Sequence, residues 1–134
     1  MPNSLATFLM FDGTADDALD LYRAVFADAT VGSIERFTAE EGEAGKVKHA
    51  ALTLKGQRLV FFDSPVKHAF GFTPSMSLFV ECASEAEFEH VVEMLSADGE
   101  ALMPVGNYGF STKYTWFNDR FGVSWQVNLA QDIR

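Results

Sequence analysis

The same order of predicted elements occurs twice along this chain of 134 residues. Residues 5–11 form an apolar run that predicts a strand, and residues 14–26 carry apolar side chains at helical spacing. Three strand-like segments follow, at residues 31–37, 47–54 and 59–63. One helix followed by three strands is not the strict alternation of a doubly wound parallel sheet. The order therefore favours an α+β fold with mixed or antiparallel sheets.

The second copy follows a connecting segment that contains Pro65 and Pro74. A capping box, Ser84 with Glu87, marks the start of its helix. A shift of about 70 positions places Thr14 on Ser84 and superposes the two copies. The strands of the second copy are predicted at residues 75–82, 101–105, 112–117 and 123–129. We therefore predict one domain, with module 1 at about 4–64, a linker at about 65–74 and module 2 at about 75–130.

Charge and cysteine content argue against several classes of protein. The net charge of −9 opposes binding to a phosphate backbone, so no nucleic-acid partner is expected. The single cysteine, Cys82, cannot form an intrachain disulfide, and we interpret it as a buried apolar residue. The start of the chain lacks the pattern of a signal peptide, and no apolar run reaches the ~18 residues of a membrane helix. A cytoplasmic location without a membrane partner is the resulting expectation.

Residues with obvious catalytic spacing are absent from the sequence. No serine lies in a G-x-S-x-G context, and no two histidines have the i, i+4 spacing of a helical metal site. Of the three histidines, His68 is the best candidate for a ligand contact, because its loop could fold over a cavity. The first predicted strand leaves through Asp12 and Gly13 without a second glycine nearby, which argues against a Rossmann-type nucleotide site. No cofactor is predicted.

Several motifs resemble the PhnB-like proteins of the vicinal-oxygen-chelate superfamily, which includes glyoxalases, bleomycin resistance proteins and dioxygenases. The most specific motif is DRFGVSWQ at residues 119–126, and FLMFDGTADDALDLY at residues 8–22 resembles the opening of these proteins. Further matches are DSPVKH at 63–68, FVEC at 79–82, MP at 103–104 and YGFS at 108–111. The resemblance spans nearly the whole chain. Some members of the family carry the name 3-demethylubiquinone-9 3-methyltransferase.

The resemblance implies two βαβββ modules whose eight strands form a partly open barrel around a cavity, commonly in a homodimer. Metal-dependent members place four ligands, usually His and Glu, on strands that face this cavity. Carried over to this sequence, these positions fall on Thr7, near Phe61 with Asp63 two residues on, on Ser75 or Ser77, and on Gln126. Hydroxyls and an amide are weak donors for zinc, nickel or iron, so we predict no metal site.

The leading hypothesis is therefore a metal-independent homodimer that binds a small molecule in a largely apolar pocket. Its candidate lining residues are Thr7, Leu9, Asp63, Ser75, Ser77, Trp116 and Gln126, with His68 as a possible loop contact. One alternative is a metal-assisted enzyme of glyoxalase or dioxygenase type with unusual ligands such as His49, Asp63 or His68. Another alternative is a dimeric scaffold without a ligand.

Overall fold

The structure, a computed structural model, describes residues 2–130. The first module contains β1 (Thr7–Phe11), α1 (Ala15–Val25), β2 (Thr30–Arg36), β3 (Val47–Leu54) and β4 (Gln57–Asp63). The second contains β5 (Leu78–Cys82), α2 (Glu85–Ser96), β6 (Glu100–Gly106), β7 (Lys113–Asn118) and β8 (Ser124–Leu129). The predicted α+β class with two βαβββ modules is confirmed. Among the described residues, no helix is both long and apolar enough to cross a membrane.

Each module folds into its own four-stranded sheet, and the two sheets have the same topology. The strand orders are β1-β4-β3-β2 and β5-β8-β7-β6. In each sheet the first and last strands of the module pair in parallel, whereas the other pairs are antiparallel. The chain divides into two compact units between Gly71 and Phe72.

One helix covers one face of each sheet. In the first module, Tyr22 of α1 packs against Phe61 of β4 with ring centroids 5.8 Å apart, and both side chains are fully buried. In the second, Phe88, Val91 and Leu95 of α2 are buried, as are Trp125 and Val127 of β8. Each such side chain stabilises the fold by roughly 1.5–3 kcal/mol. The other face of each sheet carries no helix.

The two helices begin with different caps. At the start of α2 the Ser84 Oγ accepts from the Glu87 amide at 3.1 Å, as the predicted capping box requires. The Glu87 carboxylate accepts at 3.1 Å from the amide of Ala83, one residue before the N-cap, rather than from that of Ser84. Thr14 occupies the N-cap position of α1, but its side chain makes no capping hydrogen bond. The carboxylate of Asp63 accepts from the Ala15 amide instead.

The DRFGVSWQ motif forms a turn organised around one buried carboxylate. Asp119 accepts from the amides of Phe121 and Val123 at 2.9 and 3.0 Å, and from the Trp125 indole at 2.9 Å. Gly122 has a φ of 90°, in the left-handed region that favours glycine. These bonds give Asp119, Gly122 and Trp125 each a defined role in the turn.

Three strands start two or three residues from their predicted positions: β1 at Thr7 rather than at residue 5, β4 at Gln57 rather than at residue 59, and β5 at Leu78 rather than at residue 75. The β3–β4 turn contains only Lys55 and Gly56, because Gln57 already pairs with Leu54 in the ladder. Both turn residues have positive φ, as the tight hairpin requires. Strand β5 starts at Leu78 rather than at residue 75, because the residues before it form a turn with local side-chain hydrogen bonds.

Candidate functional site

Four side chains form a continuous row across the helix-free face of the second sheet. Phe79 of β5 pairs with Gln126 of β8, Gln126 with Trp116 of β7, and Trp116 with Met103 of β6. Side chains of paired residues lie on the same face of a sheet, so the four are neighbours. We call this set, Phe79, Gln126, Trp116 and Met103, the aromatic row.

Hydrogen bonds hold the polar groups of the aromatic row in fixed orientations. The Trp116 Nε1 donates to the Ser124 Oγ at 2.9 Å, and the Ser77 Oγ lies 2.9 Å from the same oxygen. The Tyr114 hydroxyl donates to the Gln126 Oε1 at 2.6 Å. Burial raises the pKa of Tyr114, so its phenol stays protonated as a donor. The Gln126 Nε2 is thereby oriented away from Tyr114.

Two asparagines beside the aromatic row carry unsatisfied acceptors. Asn128 is only 6% exposed and its Nδ2 donates to both Glu81 carboxylate oxygens, at 3.0 and 3.1 Å. Its Oδ1 has no partner among the described residues, and neither has the buried Oδ1 of Asn118. Because buried polar atoms are normally paired, these two oxygens are candidate contacts for a bound molecule.

The aromatic row is accessible, in contrast to the opposite face of the same sheet. Phe79 is 54% exposed, whereas Trp125, which faces α2, is 1% exposed. Trp116 and Gln126 are half-buried. An aromatic surface with a few fixed polar groups can stack on a planar molecule and orient it through hydrogen bonds. Of the residues predicted from sequence, the structure brings Ser77, Trp116 and Gln126 together here.

The three candidate residues of the first module lie on the helix-covered face of their sheet. Thr7, Leu9 and Asp63 share the face that α1 covers, because Leu9 pairs with Phe61 and Phe61 contacts the helix. None of the three therefore lies on the helix-free face of the first sheet. The Thr7 Oγ1 accepts from the Gln57 side chain at 3.1 Å, and Leu9 belongs to the core.

Asp63 joins two elements of the first module. The Asp63 Oδ1 accepts from the Ala15 amide at 2.9 Å, and the Oδ2 accepts from the Val47 amide at 3.0 Å. The side chain is 2% exposed. Both oxygens thus bind backbone donors, and one of them lies at the positive end of the α1 dipole. The contacts assign Asp63 a structural role.

The remaining candidate ligands do not converge on one point. His49 projects from the helix-free face of the first sheet and Asp63 from the covered face, so they cannot bind the same ion. The His68 ring stacks on Phe70 with centroids 4.8 Å apart, and the Ser75 Oγ is 2.8 Å from the Thr73 hydroxyl. Within residues 2–130, no group of three His, Cys, Asp or Glu side chains could hold a metal ion. The donors present do not fit a catalytic divalent cation.

A polar cleft of about 400 Å³ opens in the first module near the start of α1. The lining residues are Asp12, Gly13, Phe37, Glu43, Lys46, Asp63, Ser64, Pro65 and Lys67. The Lys46 Nζ donates to the Gly13 carbonyl at 3.0 Å, and the Lys67 Nζ lies 3.3 Å from the Asp12 carboxylate. Both cations of the cleft are therefore engaged by the protein itself.

Sequence reasoning missed Phe79, Glu81, Tyr114 and Asn128 as members of the site. The available signal was the alternation of side chains along β5 and β8, in which Phe79 and Gln126 face the same way. The two modules also differ in the turn between the first strand and the helix. Thr7 corresponds to Leu78, a shift of 71, whereas the helix caps Thr14 and Ser84 differ by 70. The β1–α1 turn therefore has one residue more than the β5–α2 turn.

Comparisons with known proteins agree with this architecture. A PhnB protein from Bacillus cereus is 46% identical, with 96% of this chain and 100% of that chain covered and a TM-score of 0.91. A protein from Pseudomonas aeruginosa is 27% identical, with 98% and 100% covered and a TM-score of 0.85. A glyoxalase/bleomycin resistance protein/dioxygenase domain from Frankia is 14% identical, with 100% and 96% covered and a TM-score of 0.70, and it shows the fold alone. No curated protein matches the chain.

The family model described as 3-demethylubiquinone-9 3-methyltransferase matches residues 3–128. That match covers nearly the full length, and the similarity to the Bacillus cereus protein extends over the same region. The chain therefore belongs to this PhnB-like family, and its two modules have the fold of the glyoxalase/bleomycin resistance/dioxygenase proteins.

Proposed function

We propose that this protein binds a small organic molecule on the aromatic row, without a metal ion. The single observation that carries the proposal is the row itself: an accessible line of Phe79, Gln126, Trp116 and Met103 with its polar atoms fixed by hydrogen bonds. Small-molecule sites commonly combine apolar walls with a few oriented polar groups. Pre-oriented groups also lower the entropic cost of binding.

The description of the family names a methyl transfer. The residues of this chain do not form the nucleotide-binding site of a Rossmann-type methyltransferase. Such a site needs a glycine-rich turn between a strand and a helix. The turn before α1 contains one glycine, Gly13, and the turn before α2 contains none. Proteins that share a fold can have unrelated functions, so the function has to be inferred from the residues of the site.

Ligand screening after removal of metals tests the proposal. Protein treated with a chelator should show an increased Tm with at least one compound from a panel of planar metabolites and aromatic antibiotics. That compound should also quench tryptophan fluorescence, because Trp116 is half-buried at the site whereas Trp125 is fully buried.

The Trp116→Phe variant provides the matched control, since it removes the accessible indole and keeps an aromatic ring. Quenching should disappear in this variant while the fold is retained. If no compound raises the Tm, or if quenching persists in Trp116→Phe, the proposed site is refuted. If binding requires an added divalent metal, the metal-independent proposal is refuted.

A further inference from the structure

The charges and free acceptors around the aromatic row indicate which class of molecule it takes. Among the described strand residues, the helix-free face carries the carboxylates of Glu81, beside Asn128, and Glu100, beside Asn118. Lys113 is the only basic residue in the four strands of this sheet. It projects from the opposite face, where its Nζ donates to the Glu85 carboxylate of α2 at 2.5 Å. The face is therefore electronegative.

Unsatisfied hydrogen-bonding groups on this face are also acceptors. The Oδ1 atoms of Asn118 and Asn128 lack partners among the described residues. Asn128 is more than nine-tenths buried, and its Nδ2 is already held by Glu81. A buried acceptor without a partner costs free energy, and that cost is recovered only when a donor approaches. A ligand that matches this face therefore brings N–H or O–H donors.

The rings of the row add a preference for positive charge. Trp116 and the 54%-exposed Phe79 flank Gln126, and the face of an aromatic ring attracts cations. Carboxylates beside the rings act in the same direction. Within the four described strands of this sheet, no basic side chain projects from this face to compensate an anionic ligand.

We propose, resting on the function proposed above, that the ligand is a planar aromatic cation that carries hydrogen-bond donors. Its ring stacks on Trp116 and Phe79, its positive charge lies near Glu81, and its donors reach the Asn128 and Asn118 Oδ1 atoms. The Gln126 side chain, held by Tyr114, borders the same surface.

Calorimetric titration of the full chain with two probes of similar shape tests this class. Proflavine is a three-ring cation with two amino groups, and anthracene-2-sulfonate is a three-ring anion. We expect proflavine to bind at least about tenfold more tightly and to lose affinity as salt is added, since ions screen the attraction. The Glu81→Gln variant keeps an oxygen for Asn128 and should weaken proflavine about threefold, which is typical for one exposed charge.

The Glu93→Gln variant is the matched control, because Glu93 is exposed on α2, which covers the other face. It should leave the Kd for proflavine unchanged. If Glu81→Gln has no larger effect than Glu93→Gln, the proposed position of the charge is overturned. If anthracene-2-sulfonate binds as tightly as proflavine and Trp116→Phe weakens it, the charge class is wrong but the small-molecule site stands. If neither probe nor any compound of the wider panel binds, both proposals fail.

Discussion

Replacing Asp63 with alanine should lower the free energy of unfolding by about 3 kcal/mol or more. The two carboxylate oxygens accept backbone amides at 2.9 and 3.0 Å, and the side chain is 2% exposed. A hydrogen bond to a charged group contributes about 1.5–3 kcal/mol, and the substitution removes two of them. The start of α1 and the start of β3 would lose their shared anchor.

Urea denaturation followed by circular dichroism measures this loss. With a slope of about 2 kcal/mol per molar urea, the midpoint should fall by about 1.5 M. Asp63→Asn should cost less than alanine, because the amide keeps one acceptor oxygen. Asp12→Ala is the control, since this nearby carboxylate has a side chain that is 75% exposed and its ion pair contributes little.

A loss of less than about 1 kcal/mol for Asp63→Ala would refute the structural role of this carboxylate. In that case Asp63 would again be a candidate for ligand binding. An equal loss for Asp12→Ala and Asp63→Ala would show that charge near the start of α1, rather than the two buried hydrogen bonds, accounts for the effect.

Three further substitutions have definite expected outcomes. Gly99→Ala should destabilise the fold by about 2 kcal/mol or more in urea denaturation, because a Cβ there would lie 2.1 Å from the Asn118 carbonyl oxygen; an unchanged midpoint would contradict this contact. Ser111→Ala should raise stability by about 1 kcal/mol, since the fully buried Oγ has no partner among the described residues; a loss of stability would mean that the hydroxyl is hydrogen-bonded. Burial, with smaller contributions from the charges of Glu87 and Glu81, raises the pKa of Cys82 from 9.0 to about 11. The unfolded thiol ionises first as pH rises, so stability should fall between about pH 9 and pH 11 more steeply in the wild type than in Cys82→Ala; identical slopes would contradict the raised pKa.

The element order was predictable because its signals are local. Apolar spacing identifies both helices, and the Ser84–Glu87 box lies within one helical turn. The carboxylate of Asp119 is likewise satisfied by amides two and four residues ahead, so a short motif contains nearly all the information for this turn. Features of this kind depend on neighbours in sequence and need no knowledge of the sheet.

The face of β1 was not predictable in the same way. A one-residue slip moves every side chain of a strand to the other face, and the extra residue of the β1–α1 turn produces such a slip between the modules. A constant shift of 70 therefore aligns Thr7 with Ser77, whereas the strand starts align it with Leu78. The cap supplied by Asp63 comes from 48 residues away, so no local pattern at Thr14 could indicate it.

The candidate site was predicted in part, for the same reasons. Alternation along β8 predicted that Gln126 and Trp125 lie on opposite faces of the sheet. Trp116 was predicted to lie on the neighbouring strand, where it pairs with Gln126. The partners that orient these groups, Tyr114 and Ser124, depend on the register between β7 and β8. The buried faces of β7 and β8 fix which side chains share a face, but which residues lie opposite each other also depends on the turn that joins the strands.

The most direct test of a metal-independent site on the aromatic row is an NMR titration of isotope-labelled, chelator-treated protein. The ligand is the compound that raises the Tm most. We expect the largest shifts at the Trp116 indole N–H, the Gln126 side-chain amide and the Phe79 backbone amide. Shifts that cluster around Lys46 and Lys67 in the polar cleft, or that require added divalent metal, would contradict this expectation.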